Sequence, residues 1–131
     1  MNICWHKTRD PRGIYEFLKE SFTDLTYNAF QKVINGQRFS EWIYGEINNE
    51  GKYTMICCAA IFTGKMGLFC VAPHMGRKGV GKIFYNTIMT KYKHLTWTAV
   101  TEEAILFYRR MGAKENGGYT FGGKRYTIFE N

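Results

Sequence analysis

Residues 74–82 read HMGRKGVGK, three glycines and three cationic side chains in nine positions, directly after LFCVAP (68–73), an apolar run with the pattern of a buried strand. Glycines leave backbone N–H groups free to face a ligand with no Cβ in between, and a following helix adds the positive end of its dipole. The loop therefore suits an anion, with phosphate as the chemical expectation. A strand that runs through such a loop into a helix also restricts the fold to classes in which the two element types alternate. Val80, Ile83, Phe84, Ile88 and Tyr92 recur at helical spacing after the loop, which predicts a helix over 79–92.

The rest of the chain divides at its turn residues. NICWHK (2–7) reads as a strand. A helix over 10–22 follows, with Asp10 as N-cap, Pro11 at the first helical position and Ile14, Phe17, Leu18 and Phe22 on one face. A second helix spans 25–34 and ends at Asn35 and Gly36. Three strands come next, 40–47, 52–62 and 66–73, joined by NNEG and TGK turns into an antiparallel meander. After the loop and its helix, HLTWTAV (94–100) is a strand. The helix beyond it has Thr101 as N-cap, Glu102 and Glu103 in the first turn, Arg109 and Arg110 in the last, and Gly112 past its end. Strands near 113–117 and 124–129 close the chain. The order is βααβββαβαββ, an α/β (α+β) class with a mixed, mostly antiparallel sheet flanked by helices, in one domain over 1–131.

Charge separates the two halves of the chain. Residues 1–51 carry six Lys/Arg against seven Asp/Glu, whereas 52–131 carry twelve against four, and no carboxylate lies between Glu50 and Glu102. The acid-free stretch contains the glycine loop, so the excess reads as a polyanion site. No apolar run approaches the roughly 20 residues of a membrane span, and MNICWHKTRD has no apolar core of an export signal, so a cytoplasmic protein is expected. Cys4, Cys57, Cys58 and Cys70 match no zinc spacing and read as buried thiols in strands, and the three histidines are scattered, so no metal is expected.

Two familiar phosphate cradles fail. Gly76, Gly81 and Lys82 satisfy G-x-x-x-x-G-K, but Ile83 stands where a magnesium-binding hydroxyl belongs. Gly79 and Gly81 begin a G-x-G-x-x pattern that ends on Phe84 rather than glycine, without the acidic residue about 20 positions on.

A third pattern fits. FCVAPHMGRKGVGKIFYNTI, followed about 20 residues later by EEAILFYRRMGA, resembles the GCN5-related N-acetyltransferase (GNAT) family, whose R/Q-x-x-G-x-G/A sequence holds the acetyl-CoA pyrophosphate. Gly79 and Gly81 match its two small positions, and Ala104, Tyr108 and Gly112 match its A-x-x-x-Y-x-x-x-G stretch. Gly76 stands where the family has Arg or Gln, with Arg77 next to it, and Thr101 stands where Asn is common. The resemblance implies acetyl-CoA as cosubstrate and direct transfer of its acetyl group to an amine in a ternary complex. It implies a cofactor site made of Phe69, Cys70 and Val71 on the strand, Gly76, Arg77, Lys78, Gly79, Val80, Gly81 and Lys82 in the loop, and Thr101 and Ala104. It also implies Tyr108 as the acid that protonates the leaving thiolate, and pantetheine lying in a V between strands 66–73 and 94–100.

A water chain is the default route for the amine's proton; Glu46 is the one carboxylate within reach as a base, and it reads equally well as an exposed strand residue. A lysine-type amine near pKa 10.4 is neutral at pH 7 at a cost of about 4.6 kcal/mol, against about 1 kcal/mol for an α-amine near 7.8. The basic half and the missing base together favour an amine on an anionic molecule, such as aminoacyl-tRNA or another nucleic acid. The competing classes are a basic nucleic-acid-binding module, in view of nine Tyr, ten Phe and three Trp, and a catalytically inactive CoA-binding GNAT fold. A monomer or homodimer is expected.

Overall fold

Alternation of strand and helix signals translates into a single sheet. A computed structural model describes residues 2–8, 11–36 and 38–131. β1 (Cys4–Thr8), β2 (Phe39–Asn49), β3 (Lys52–Phe62) and β4 (Lys65–Val71) form an antiparallel meander. Helices α1 (Pro11–Ser21) and α2 (Tyr27–Ile34) lie between β1 and β2 in sequence, and α3 (Val80–Lys91) carries the chain from β4 to β5 (Thr96–Ala99). After α4 (Glu102–Arg110), β6 (Lys114–Phe121) and β7 (Lys124–Glu130) form a hairpin. The seven strands are ordered β1-β2-β3-β4-β5-β7-β6, and the parallel pair is β4 with β5. The expected order βααβββαβαββ and the mostly antiparallel sheet are both present.

Helices cover both faces of the sheet. Ile14, Leu18 and Phe30 of α1 and α2 pack with Trp42, Cys58, Ala60 and Cys70 on one side. Val80, Phe84, Ile88 and Tyr108 of α3 and α4 pack with Ile43, Ile56, Ile61, Trp97 and Phe129 on the other. β3 lies between these layers, so Ile56 through Ile61 are all buried, which accounts for its unbroken apolar middle. Each large apolar side chain buried here contributes about 1.5–3 kcal/mol.

Several local expectations are corrected. The Asp10 cap lies outside the described residues. α2 begins at Tyr27, because Thr26 takes the N-cap and accepts a hydrogen bond from the Ala29 N–H at 3.1 Å. β4 stops at Val71, and Pro73 opens a short 3-10 turn over Pro73–Met75. β5 starts at Thr96; His94 adopts φ +60°, a left-handed turn conformation outside the extended range of regular strand pairing. Ile83 is 44% exposed and Tyr85 is buried in its stead, because Phe107, Tyr108 and Trp97 cover that side of α3. Cys4 is exposed on the edge strand β1, while Cys57, Cys58 and Cys70 are buried free thiols.

One irregularity shapes the centre of the sheet. Cys58 pairs with Cys70 and Ala60 with Gly67, so two residues of β4, Leu68 and Phe69, stand opposite Ala59. Leu68 holds φ +51° within this bulge, and a bulged strand bends and twists more strongly. The parallel pairing of β4 with β5 is confined to Lys65 and Thr96. Beyond that point the two strands diverge and leave one edge of β4 without a strand partner.

Candidate active site

The glycine loop folds as a cradle at the head of α3. Arg77 and Gly79 have φ of +64° and +77°, and Gly79 is the N-cap of α3, where it offers no side chain to cap the helix. The first helical bond runs from the Ile83 N–H to the Gly79 carbonyl at 3.1 Å, so the N–H groups of Val80, Gly81 and Lys82 have no acceptor inside the helix. No acidic residue occupies the first turn. Such a helix start attracts an anion through both its free amides and its dipole. Glycine at 81 has a second cause, since a Cβ there would lie 3.3 Å from Phe107 Cε1.

Two clefts meet beneath this loop. The first, about 530 Å³, is lined by Phe69 and Val71 of β4, Met75, Gly76, Arg77, Gly79, Val80, Gly81 and Lys82, and by Thr101, Glu103, Ala104, Phe107, Tyr108 and Arg110. The second, about 440 Å³, occupies the divergence between β4 and β5, from Met66–Phe69 to Trp97–Val100, and reaches Phe22 and Tyr126. Phe69, Thr101, Ala104 and Tyr108 line both. A ligand anchored at the loop can thus run along the unpaired edge of β4 and present its far end to the second cleft.

Tyr108 sits at the junction. It is 6% exposed, with its ring centroid 5.3 Å from Phe129, 5.5 Å from Trp97 and 6.0 Å from Phe69. Burial pushes its phenol well above the ordinary value, and the neighbouring Tyr85 adds to the shift. Tyr108 therefore keeps its proton throughout the neutral range. The Thr101 hydroxyl accepts from the Ala104 N–H at 3.2 Å and fixes the start of α4, and with it the register that points Ala104 and Tyr108 at the clefts.

The structure brings ten of the twelve sequence-derived cofactor residues to the first cleft. Lys78 does not line it. Cys70 faces the opposite side of the sheet in the α1 core, where burial raises its thiol pKa. Glu46 lines neither cleft; its Oε1 lies 3.0 Å from His6 Nε2 on the edge strand. Sequence reasoning missed Met75, Glu103, Phe107 and Arg110. The signal for the last three was helical spacing, since 103, 107 and 110 share the face that carries Ala104 and Tyr108. Arg109, one position away, is turned outward and donates from Nε to Glu115 Oε1 at 2.6 Å. Among the described residues no group of His, Cys, Asp or Glu is arranged to hold a metal ion, and no helix is long and apolar enough to cross a membrane.

The seven-stranded, mostly antiparallel sheet flanked by four helices matches solved structures of GCN5-related N-acetyltransferases, and the chain has that fold. Among solved structures it is similar to the ribosomal-protein-S18-alanine N-acetyltransferase of Escherichia coli, at TM-score 0.72 and 14% identity over 98% of this chain and 92% of that one. It is also similar to an acetyltransferase of the GNAT family from Staphylococcus aureus, at TM-score 0.66 and 10% identity over 97% and 98% of the two chains. An aminoglycoside 6'-N-acetyltransferase solved with coenzyme A superposes at TM-score 0.66 and 10% identity over 98% and 95%. No family model and no curated protein matches the chain by sequence.

Proposed function

We propose that the protein is an N-acyltransferase that uses an acyl-CoA, acetyl-CoA foremost, and transfers the acyl group to an amine by direct attack in a ternary complex. The observation that carries this reading is the meeting of two clefts at the unpaired β4 edge and Tyr108, with the free amides of α3 at one end. The residues fit the cosubstrate. Free N–H groups at Val80, Gly81 and Lys82, with Arg77 and Lys82 beside them, suit a pyrophosphate. The edge of β4 at Phe69–Val71 suits an extended amide-bearing chain laid alongside as an added strand.

Bound acyl-CoA supplies an activated thioester with a thiol leaving group. Backbone donors on the β4 edge stabilise negative charge that develops on a carbonyl oxygen beside them. Tyr108 holds a proton at its hydroxyl and donates it to a thiolate formed at the cleft junction. No residue lining either cleft is positioned as a strong base, Glu103 in the first cleft being the one carboxylate, so the acceptor amine loses its proton to water. This favours an amine with a low pKa, such as the α-amine of an aminoacyl ester on tRNA.

Thermal unfolding tests the reading. Acetyl-CoA at a hundredfold excess over its Kd stabilises by about 2.7 kcal/mol, roughly 10 °C in Tm for a chain of this size. Gly79→Asp should abolish the shift, because it sets a carboxylate against the phosphates. A Tm that does not move at millimolar acetyl-CoA overturns the assignment.

A further inference from the structure

The second cleft carries information about the acceptor that the loop does not. We infer that its occupant is a primary amine that is neutral at working pH and is borne on an aromatic or large aliphatic group, an inference that rests on the acyltransferase reading above. Its thirteen lining residues include no Asp, Glu, Lys, Arg or His. All charged side chains at the site, Arg77, Lys82, Glu103 and Arg110, belong to the first cleft. An ammonium group entering the second cleft would give up its hydration with no carboxylate to replace it. The amine must arrive uncharged. At pH 7 about 1 in 7 α-amines of pKa near 7.8 is neutral, against about 1 in 2,500 lysine-type amines near 10.4.

The walls specify what bears the amine. Phe22, which follows α1, and Tyr126 of β7 line it together with Leu68, Trp97 and Val100. The ring of Tyr126 is stacked on Tyr119 at 5.0 Å and 10°, which extends the apolar surface outward along the β6–β7 hairpin. About 440 Å³ accommodates one ring with a short linker. Flat aromatic walls favour a ring or a branched alkyl group over a flexible polar chain. The aromatics come from separate parts of the chain, Phe22 after α1, Phe69 of β4, Trp97 of β5, Tyr108 of α4 and Tyr126 of β7, so the apolar character does not depend on a single side chain.

The test measures CoA release at saturating acetyl-CoA and pH 7 with phenylalaninamide, glycinamide and spermidine. The first two share an α-amine, so their ratio isolates the apolar group. Phenylalaninamide should exceed glycinamide by about 30-fold in kcat/KM, the effect of burying one aromatic side chain, and spermidine should give no release above background. Val100→Asp, which puts a carboxylate into the cleft, should raise spermidine use at least about tenfold relative to phenylalaninamide. In a second measurement, phenylalaninamide should raise the Tm of the CoA-saturated protein more than glycinamide does. Phenylalanyl-tRNA separates the two sources of such an amine: an advantage over phenylalaninamide that collapses between about 50 and 200 mM salt marks an RNA-borne group, and equal use marks a free one. Preference for spermidine, or parity of glycinamide with phenylalaninamide in both release and Tm, overturns the inference while an acetyl-CoA-dependent Tm rise leaves the acyltransferase reading standing. Loss of that Tm rise overturns both.

Discussion

On the proposed acyltransferase reading Tyr108 is the proton donor, and its surroundings allow a sharp experiment. A core aromatic and a proton donor both explain a buried tyrosine at this position of α4, but they respond differently to loss of the hydroxyl. Tyr108→Phe keeps the ring contacts with Phe69, Trp97 and Phe129. The variant should retain the acetyl-CoA Tm shift and lose roughly 100-fold or more in kcat, the usual contribution of a positioned acid. Unchanged turnover would return Tyr108 to the core. Because burial raises its pKa, protonation of Tyr108 persists past pH 10. Any alkaline decline in kcat below that pH must come from another group, whereas the acid limb should follow the pKa of the acceptor amine.

At the scale of elements, the approach of α4 to α3 sets the width of the first cleft. Gly81 lets the Phe107 ring lie against the first turn of α3, and a side chain there meets the ring at 3.3 Å. Gly81→Val should destabilise the fold by about 1–3 kcal/mol through overpacking, read by urea denaturation, and should weaken the acetyl-CoA Tm shift beyond that loss. Retention of both would mean that the loop tolerates a wider spacing. Element order was legible in the sequence because glycine, proline and capping residues mark nearly every boundary, as Thr101 and Gly112 do for α4. The bulge at Leu68 was not, since a leucine at positive φ has no sequence signature and arises from strand pairing alone. Two side-chain placements were hidden as well. Alternation along β4 turns Cys70 to the α1 face, and Tyr85 replaces Ile83 in the core because α4 covers α3 from the side. Most of the loop-side cleft could be read from the motif, while the apolar second cleft required Phe22 and Tyr126 to be brought together from distant parts of the chain.

In the whole molecule, β4 and β5 are joined as strands by one residue pair, Lys65 with Thr96, supported by the Thr96 N–H donating to the Gly64 carbonyl at 3.0 Å. The four-stranded meander on one side of this seam has a core of its own against α1 and α2. The three strands on the other side are held to it through the α3 and α4 layer, where Trp97 and Phe129 join the second core. The sheet is thus two leaves bound along a short spine, and free energy of opening need not be the same for both. Amide hydrogen exchange should find β5 and β7 exchanging through a lower-energy opening than β2 and β3 in the free protein. A molecule laid along the bare edge of β4 touches both leaves at once and acts as a second binding, so acetyl-CoA should slow exchange in β5 and β7 more than in β2 and β3. Equal protection of the two leaves, with and without it, would show that the α3 and α4 layer alone locks them together.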